Sequence, residues 1–273
     1  MPKTTNTPTM QDWYSFAATM TNLGAASGYR TAGISSLYGI AQQLDIDLPD
    51  SLIERLTEVR KAYDTFGAFK HATWDPISFD DLVSPKAEDN LTMVVAARVN
   101  REEAHRLNTE VSSAIASEFS RATYEALPYF YNTIAELADK HSELREYMFI
   151  DATDLPEKLR ITAQTWHLLA NLHTACRKVE DGDSIEYGHV LAFIDWPEDE
   201  WIRFCEYRKK DHHRTDPWRW AHENNLPIAV TQSYDETAQR SARLIKAWDD
   251  LEESRQTATA RMIRQGARVN SLR

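Results

Sequence analysis

Glycine is scarce in this chain, at 8 of 273 residues, where a globular domain commonly carries ~7%. Doubly wound nucleotide-binding folds and β-sandwiches need glycine at phosphate loops and tight turns, so the shortage argues against both. Cysteine is scarcer still. Cys176 and Cys205 are the only two, which excludes a disulfide framework and points to a reducing compartment. A chain of this length buries an adequate core without such staples. Long apolar runs are also missing: no window supplies the roughly 18 to 20 apolar residues of a membrane span. Lys3 is followed by polar residues, not by the apolar stretch of a secretory signal. Basic residues are outnumbered 31 to 42, for a formal charge of −11. The expectation is a soluble protein of the cytoplasm, or of a virion if it serves assembly.

What the chain does have is helical periodicity. Ser51–Phe66 places Leu52, Leu56, Val59, Tyr63 and Phe66 on one face, in alternating steps of four and three. Ser51 and Glu54 form a candidate capping box, and Gly67 a candidate stop. Asn100 and Glu103 are a similar start for a helix carrying Ala104, Leu107, Val111, Ile115 and Phe119, which Pro128 should break. Asp154 with Glu157 opens a helix through Trp166, Leu169, His173 and Cys176 to Gly182. Asp195 with Glu198 opens Trp196–Lys210, whose acids come early and whose Arg208, Lys209 and Lys210 come late, as the helix dipole favours. Ser233 with Glu236 starts a last helix that runs to about Gln265, ahead of Gly266. Such a helix is roughly 48 Å long. Pro227–Thr231 and Thr92–Val99 are the two stretches with an extended character, neither with an evident partner strand. The expected fold is all-α, a bundle of about eight to ten helices. A flexible tail occupies residues 1–10, a helical body without a clear internal boundary 11–232, and the long C-terminal helix with its arginine-rich tail 233–273.

Charge and small residues are unevenly placed. Trp13–Leu44 contains one charged residue, Arg30, and half of the glycines fall within Gly24–Gly39. Their spacing matches neither G-x-G-x-x-G nor a P-loop, and close helix packing is the better account. Residues 1–200 hold 32 acids and 17 bases, whereas 201–273 hold 10 acids and 14 bases. After Glu253 only bases follow: Arg255, Arg261, Arg264, Arg268 and Arg273. A basic end on an acidic body is suited to docking on an acidic protein surface, its own copy included. Four tryptophans lie within Trp196–Trp220, interleaved with Arg203, Arg208, Lys209, Lys210, Arg214 and Arg219. That mixture serves either a protein interface or stacked, phosphate-bearing strands, though an acidic chain disfavours nucleic acid. The candidate partner-binding residues are Trp201, Trp218, Trp220, Trp248, Arg255, Arg261, Arg264 and Arg268.

The chemical motifs are weak. Ser36–Ile46 superficially resembles the first half of a helix-turn-helix. Asp45 stands where glycine belongs, and Asp47, Asp50 and Glu54 would repel phosphate at the reading helix. Two Glu-x-x-His pairs, Glu102–His105 and Glu186–His189, have the spacing of ferritin-like di-metal ligands, with Glu58, Glu136 or Glu143 as further donors. Yet 21 glutamates and 9 histidines in 273 residues give about one such pair by chance. His173, Cys176, Cys205 and His212 are four residues of the types that hold zinc, but the first two continue an apolar stripe. Asp181 and Asp183 fail as a calcium loop because Ile185 and Ala192 fall at ligand positions. His222-Glu223 lacks the second histidine of a zincin, and Asp211, His212, His213 and Glu223 are equally a polar turn. No serine or cysteine has the setting of a nucleophile, and no cofactor is implied. The chain therefore reads as a non-catalytic helical assembly protein that self-associates or docks on a larger protein. Viral or phage assembly components share this composition. A nucleic-acid binder and a di-metal protein are the alternatives.

Overall fold

The computed structural model describes residues 8–26, 33–70, 105–106, 109–142, 157–180, 184–210 and 216–270, with backbone alone at 26, 66–70, 157–163 and 261–270. Ten helices cover most of them. They are α1 (Met10–Ala26), α2 (Ile34–Gln43), α3 (Asp50–Lys70), α4 (109–125), α5 (Leu127–Lys140), α6 (Glu157–Val179), α7 (Gly188–Leu191), α8 (Glu198–Lys210), α9 (Pro217–Glu223) and α10 (Tyr234–Asn270). The fold is all-α. No strand occurs among the described residues, and the extended Pro227–Thr231 stretch contributes one isolated antiparallel bridge, Ile194 to Ile228. None of the described helices is long and apolar enough to cross a membrane. Contacts divide the chain into two compact units, Met1–Leu127 and Pro128–Arg273. The division falls at the proline, where the helical periodicity also breaks: α4 ends, Ala126 forms a turn, and Pro128 sits in the first turn of α5. Proline is tolerated there because that turn has no N–H bond to lose.

In the first unit, α1 opens with a reciprocal cap that the sequence analysis passed over. The Thr9 N–H donates to Asp12 Oδ2 at 2.8 Å and the Asp12 N–H donates to Thr9 Oγ1 at 3.3 Å, which satisfies donors left free at a helix start. The Thr9 hydroxyl also donates to that carboxylate and, with the N–H, holds the Asp12 pKa below its usual range. Trp13, Phe16, Ala17 and Met20 are buried along one side of α1, and Ile34, Leu37, Tyr38 and Ala41 along one side of α2, the spacing of an amphipathic helix. The two helices pack together around Gly39, where a Cβ would come 2.9 Å from Tyr14 Cε2. Close packing within the glycine cluster is thus realised at Gly39. Edge-to-face rings complete the core: Phe16 against Phe119 at 5.5 Å and against Tyr63 at 5.9 Å. The buried Tyr38 hydroxyl is satisfied by Thr123 Oγ1 at 3.1 Å. Arg55 joins α3 to α4 through Glu118, at 2.8 Å, and Glu125.

Several helix ends depart from the expected ones. α3 begins at Asp50, so Ser51 lies inside its first turn, and the helix continues through Gly67 to Lys70. Glycine costs a helix interior only about 1 kcal/mol, too little to stop one that is otherwise supported. α10 likewise runs through Gly266 to Asn270. α8 begins at Glu198 rather than Trp196, since Pro197 favours an extended residue before it. Asp195 is thereby released from a capping role and pairs with Arg243 instead. The Asn100–Glu103 and Asp154 starts, the Thr92–Val99 stretch and the Gly182 stop lie outside the described residues.

The second unit is built on aromatic rings. Trp166 meets Phe193 at 5.9 Å and Trp218 at 6.1 Å, while Trp196 meets Trp201 at 5.4 Å and Phe204 at 5.2 Å. Asp216 caps α9 by accepting from the Trp218 N–H at 2.8 Å, with Pro217 at the first helical position. The segment after α9 is tied to the segment after α7 by Ala229 N–H to Phe193 O and Thr231 N–H to Ala192 O, both 2.8 Å. This strap delivers the chain to Ser233, whose Oγ accepts from the Glu236 N–H at 3.2 Å and starts α10. The expected Ser233–Glu236 cap is present, with the Glu236 carboxylate reaching the Gln232 N–H at 2.7 Å.

Candidate functional site

α10 contains 37 residues, a rod of about 55 Å, and its buried side chains among the described residues lie in its first half. Thr237, Ser241 and Leu244 are buried, and the helix packs on α7 and α8. Charged side chains anchor it further. Arg240 donates to the carbonyls of Ala229 and Leu191 and pairs with Glu236 at 2.9 Å. Arg243 donates to Asp195 Oδ1 at 2.6 Å and to the Trp196 carbonyl at 2.8 Å. Lys209 of α8 lies 4.4 Å over the Trp248 ring and 3.2 Å from Glu252. Arg255 closes the series by pairing with Glu206 and Glu252. From Glu253 to Ala260 every residue is exposed.

The candidate partner residues therefore separate into groups. Trp201 and Trp218 are 4% and 5% exposed, so their rings form the core and present no face to a partner. Trp220 is half-buried, with its ring edge-to-face with Phe204 at 5.9 Å and tilted against Tyr207 at 5.2 Å. Trp248 is half-buried beneath Lys209. Arg255 is committed to α8, whereas Arg261, Arg264 and Arg268 occupy the distal part of α10 with side chains outside the described residues. Spacing alone does not separate core from surface tryptophans: Trp248 has Leu244, Ile245 and Leu251 at helical spacing, whereas the buried Trp218 has Arg214, Thr215 and His222 at those offsets.

Of the proposed metal ligands, Glu102 lies outside the described residues. His105 is an exposed helical residue of the first unit. In the second unit, Glu186 is in the turn before α7 and His189 is within it. That turn is set by Tyr187, which holds a left-handed φ of 56° while its ring packs 5.3 Å from Trp201. Asp183, the proposed capping partner of Glu186, lies outside the described residues. Among the described residues no group of three or more His, Cys, Asp and Glu side chains is arranged to hold a metal.

The buried titratable groups serve packing. His173 Nε2 and Thr231 Oγ1 are 2.8 Å apart, and Thr231 Oγ1 and Thr237 Oγ1 are 2.7 Å apart. Burial lowers the His173 pKa to about 4, so the ring is neutral. The Tyr131 hydroxyl donates to Glu180 Oε2, which also accepts the Tyr234 N–H at 2.9 Å. Burial raises the pKa of the Cys176 thiol and pushes that of Cys205 up to about 11. Both sulfurs are protonated at neutral pH, the opposite of what a nucleophile or thiolate ligand needs.

Fold and surface together define a class: an all-α protein of two compact units with a long last helix whose residues 253–260 are exposed. No protein-family profile matches the chain, and no curated protein or solved structure matches it either.

Proposed function

We propose that the chain is a non-catalytic helical assembly protein that works by self-association or by docking on a protein partner through the distal part of α10. One observation carries this reading. A helix is continuous to Asn270, although its residues from Glu253 to Ala260 are exposed and carry no large apolar side chain. Most helical stability in proteins comes from tertiary packing of a covered face. Covering that segment with a second protein surface supplies what its own unit does not.

Hydrogen exchange on the full-length chain tests the reading. At high protein concentration, amides of residues 253–268 should be protected well beyond those of a free helix, with protection falling on dilution. Fast exchange there at every concentration, together with a monomeric mass by light scattering, would refute it.

A further inference from the structure

From Asp250 to Arg264 the outward face of α10 carries a charge pattern that is its own complement. At about 100° per residue, Leu244, Trp248, Leu251 and Arg255 share the face turned toward α7 and α8. Lys246, Asp249, Asp250, Glu253, Thr257 and Ala260 share the opposite face, and all six are exposed. The three carboxylates enter no ion pair among the described residues, in contrast to Glu252, which is held by Lys209 and Arg255. The helical register carries the same stripe onward through Arg261, Arg264 and Arg268. Beyond Lys246 the face thus reads acidic through Asp249, Asp250 and Glu253, small at Thr257 and Ala260, then basic.

We propose that two copies of the chain pair through this face as an antiparallel, symmetric dimer. With the two-fold axis at Thr257, Asp250 falls opposite Arg264 of the partner subunit and Glu253 opposite Arg261 of the partner subunit, and the symmetry repeats both pairings. Lys246 opposite Arg268 of the partner subunit is a like-charged pairing at the outer edge of the patch. A C2 interface uses one patch against itself, which requires a patch with both signs of charge in reversed order, as this one has. A parallel arrangement would instead set acid on acid and base on base. Thr257 and Ala260 lie at the crossing, where small side chains let helix axes approach to the short end of the usual 8–10 Å range. The face opposes the one used by α7 and α8, so pairing leaves every anchoring contact of α10 in place. The inference rests on the proposed self-association and specifies its partner and geometry.

Sedimentation equilibrium of the full-length chain at low and high salt provides the test, with circular dichroism to confirm that helix content is kept. The expected mass at low salt is twice the 31.4 kDa of one chain, falling toward the monomer as salt screens the pairs. Asp250→Arg with Glu253→Arg makes both pairings basic on basic, and Arg261→Glu with Arg264→Glu makes both acidic on acidic. Each double variant alone should associate at least about tenfold more weakly, and an equimolar mixture of the two should recover the dimer. A dimer indifferent to both reversals would overturn the pairing and leave self-association standing. Loss of the dimer in each variant without recovery in the mixture would overturn the antiparallel register. A wild-type chain that is monomeric at all salts would overturn the pairing, and docking on a different protein would then remain as the function.

Discussion

His173 and Thr231 are joined by a 2.8 Å hydrogen bond that ties the middle of α6 to the strap leading into α10. The ring is enclosed by Tyr131 at 5.1 Å and Phe193 at 5.7 Å, and Thr231 passes the network on to Thr237 in the first turn of α10. A neutral imidazole suits this setting. Protonation places an unpaired charge among apolar rings, with Arg177 and Arg240 adding like charge.

That relationship fixes the acid sensitivity of the second unit. The folded-state pKa of His173, about 4, lies below its ordinary 6.5, so the unfolded chain binds the proton first as pH falls. Stability is complete above about pH 6.5 and is lost between there and pH 4, by about 2 kcal/mol at pH 5 and about 3 kcal/mol at pH 4. Urea midpoints measured across this range should fall accordingly. His173→Leu should be less stable at neutral pH but show a flatter profile. A wild-type profile that is flat from pH 7 to 5 would contradict the buried neutral ring.

Two helices end in a left-handed residue that is not glycine. Asp45 after α2 has φ 53° and Asn225 after α9 has φ 52°. In each the paired bonds of a Schellman stop are formed: Ile46 N–H to Ala41 O with Asp45 N–H to Gln42 O, and Leu226 N–H to Ala221 O with Asn225 N–H to His222 O. Ile46 and Leu226 are buried, which supplies the apolar contact that accompanies such stops. A left-handed conformation costs a residue with a Cβ roughly 1–2 kcal/mol, less for Asp and Asn. Asp45→Gly and Asn225→Gly should therefore each gain about 0.5–1 kcal/mol, read as higher urea midpoints. A lower midpoint in either would show that the native side chain contributes more than its strain removes.

The tryptophans should divide by energy as they do by position. Trp201→Ala and Trp218→Ala each open a cavity among aromatic rings and should cost about 3–5 kcal/mol. Trp248→Ala removes a half-exposed ring under Lys209 and should cost about 1 kcal/mol. Thermal melts of the three variants measure this directly. Equal losses at all three positions would contradict the division into core and surface.

Much of the fold was legible because burial and periodicity share a cause. Leu52, Leu56 and Val59 recur at helical spacing and are buried together, and Ser233 with Glu236 is a local cap that needs no tertiary knowledge. Local signals misled where tertiary support overrides them: Gly67 and Gly266 sit inside helices, and Asp195 serves Arg243 rather than a helix start. The Thr9–Asp12 cap was readable but lies in a segment whose composition resembles a tail. At the candidate site, composition shows that tryptophan and arginine are concentrated, but only chain geometry shows which rings turn inward. The acid-to-base stripe on α10 was written in the sequence at helical spacing. Its significance depended on knowing which face α7 and α8 leave uncovered.

Arg240 should be the residue on which the root of α10 depends. Its side chain is 12% exposed, and its guanidinium caps the carbonyls of Leu191 and Ala229, which belong to α7 and to the strap. Arg240→Met keeps much of the apolar stem but leaves those carbonyls without their donor, a loss of about 2–3 kcal/mol. Arg240→Lys keeps the charge, yet a single ammonium lacks the fork that serves two carbonyls and Glu236 together, so it should fall between methionine and wild type. Arg255→Ala is the control on the same helix. That side chain is 51% exposed, and the loss of its ion pairs should stay within about 1 kcal/mol. Chemical denaturation of the three variants settles the order. If Arg255→Ala proved the most damaging, the helix would be anchored by its charged middle and not by its buried root.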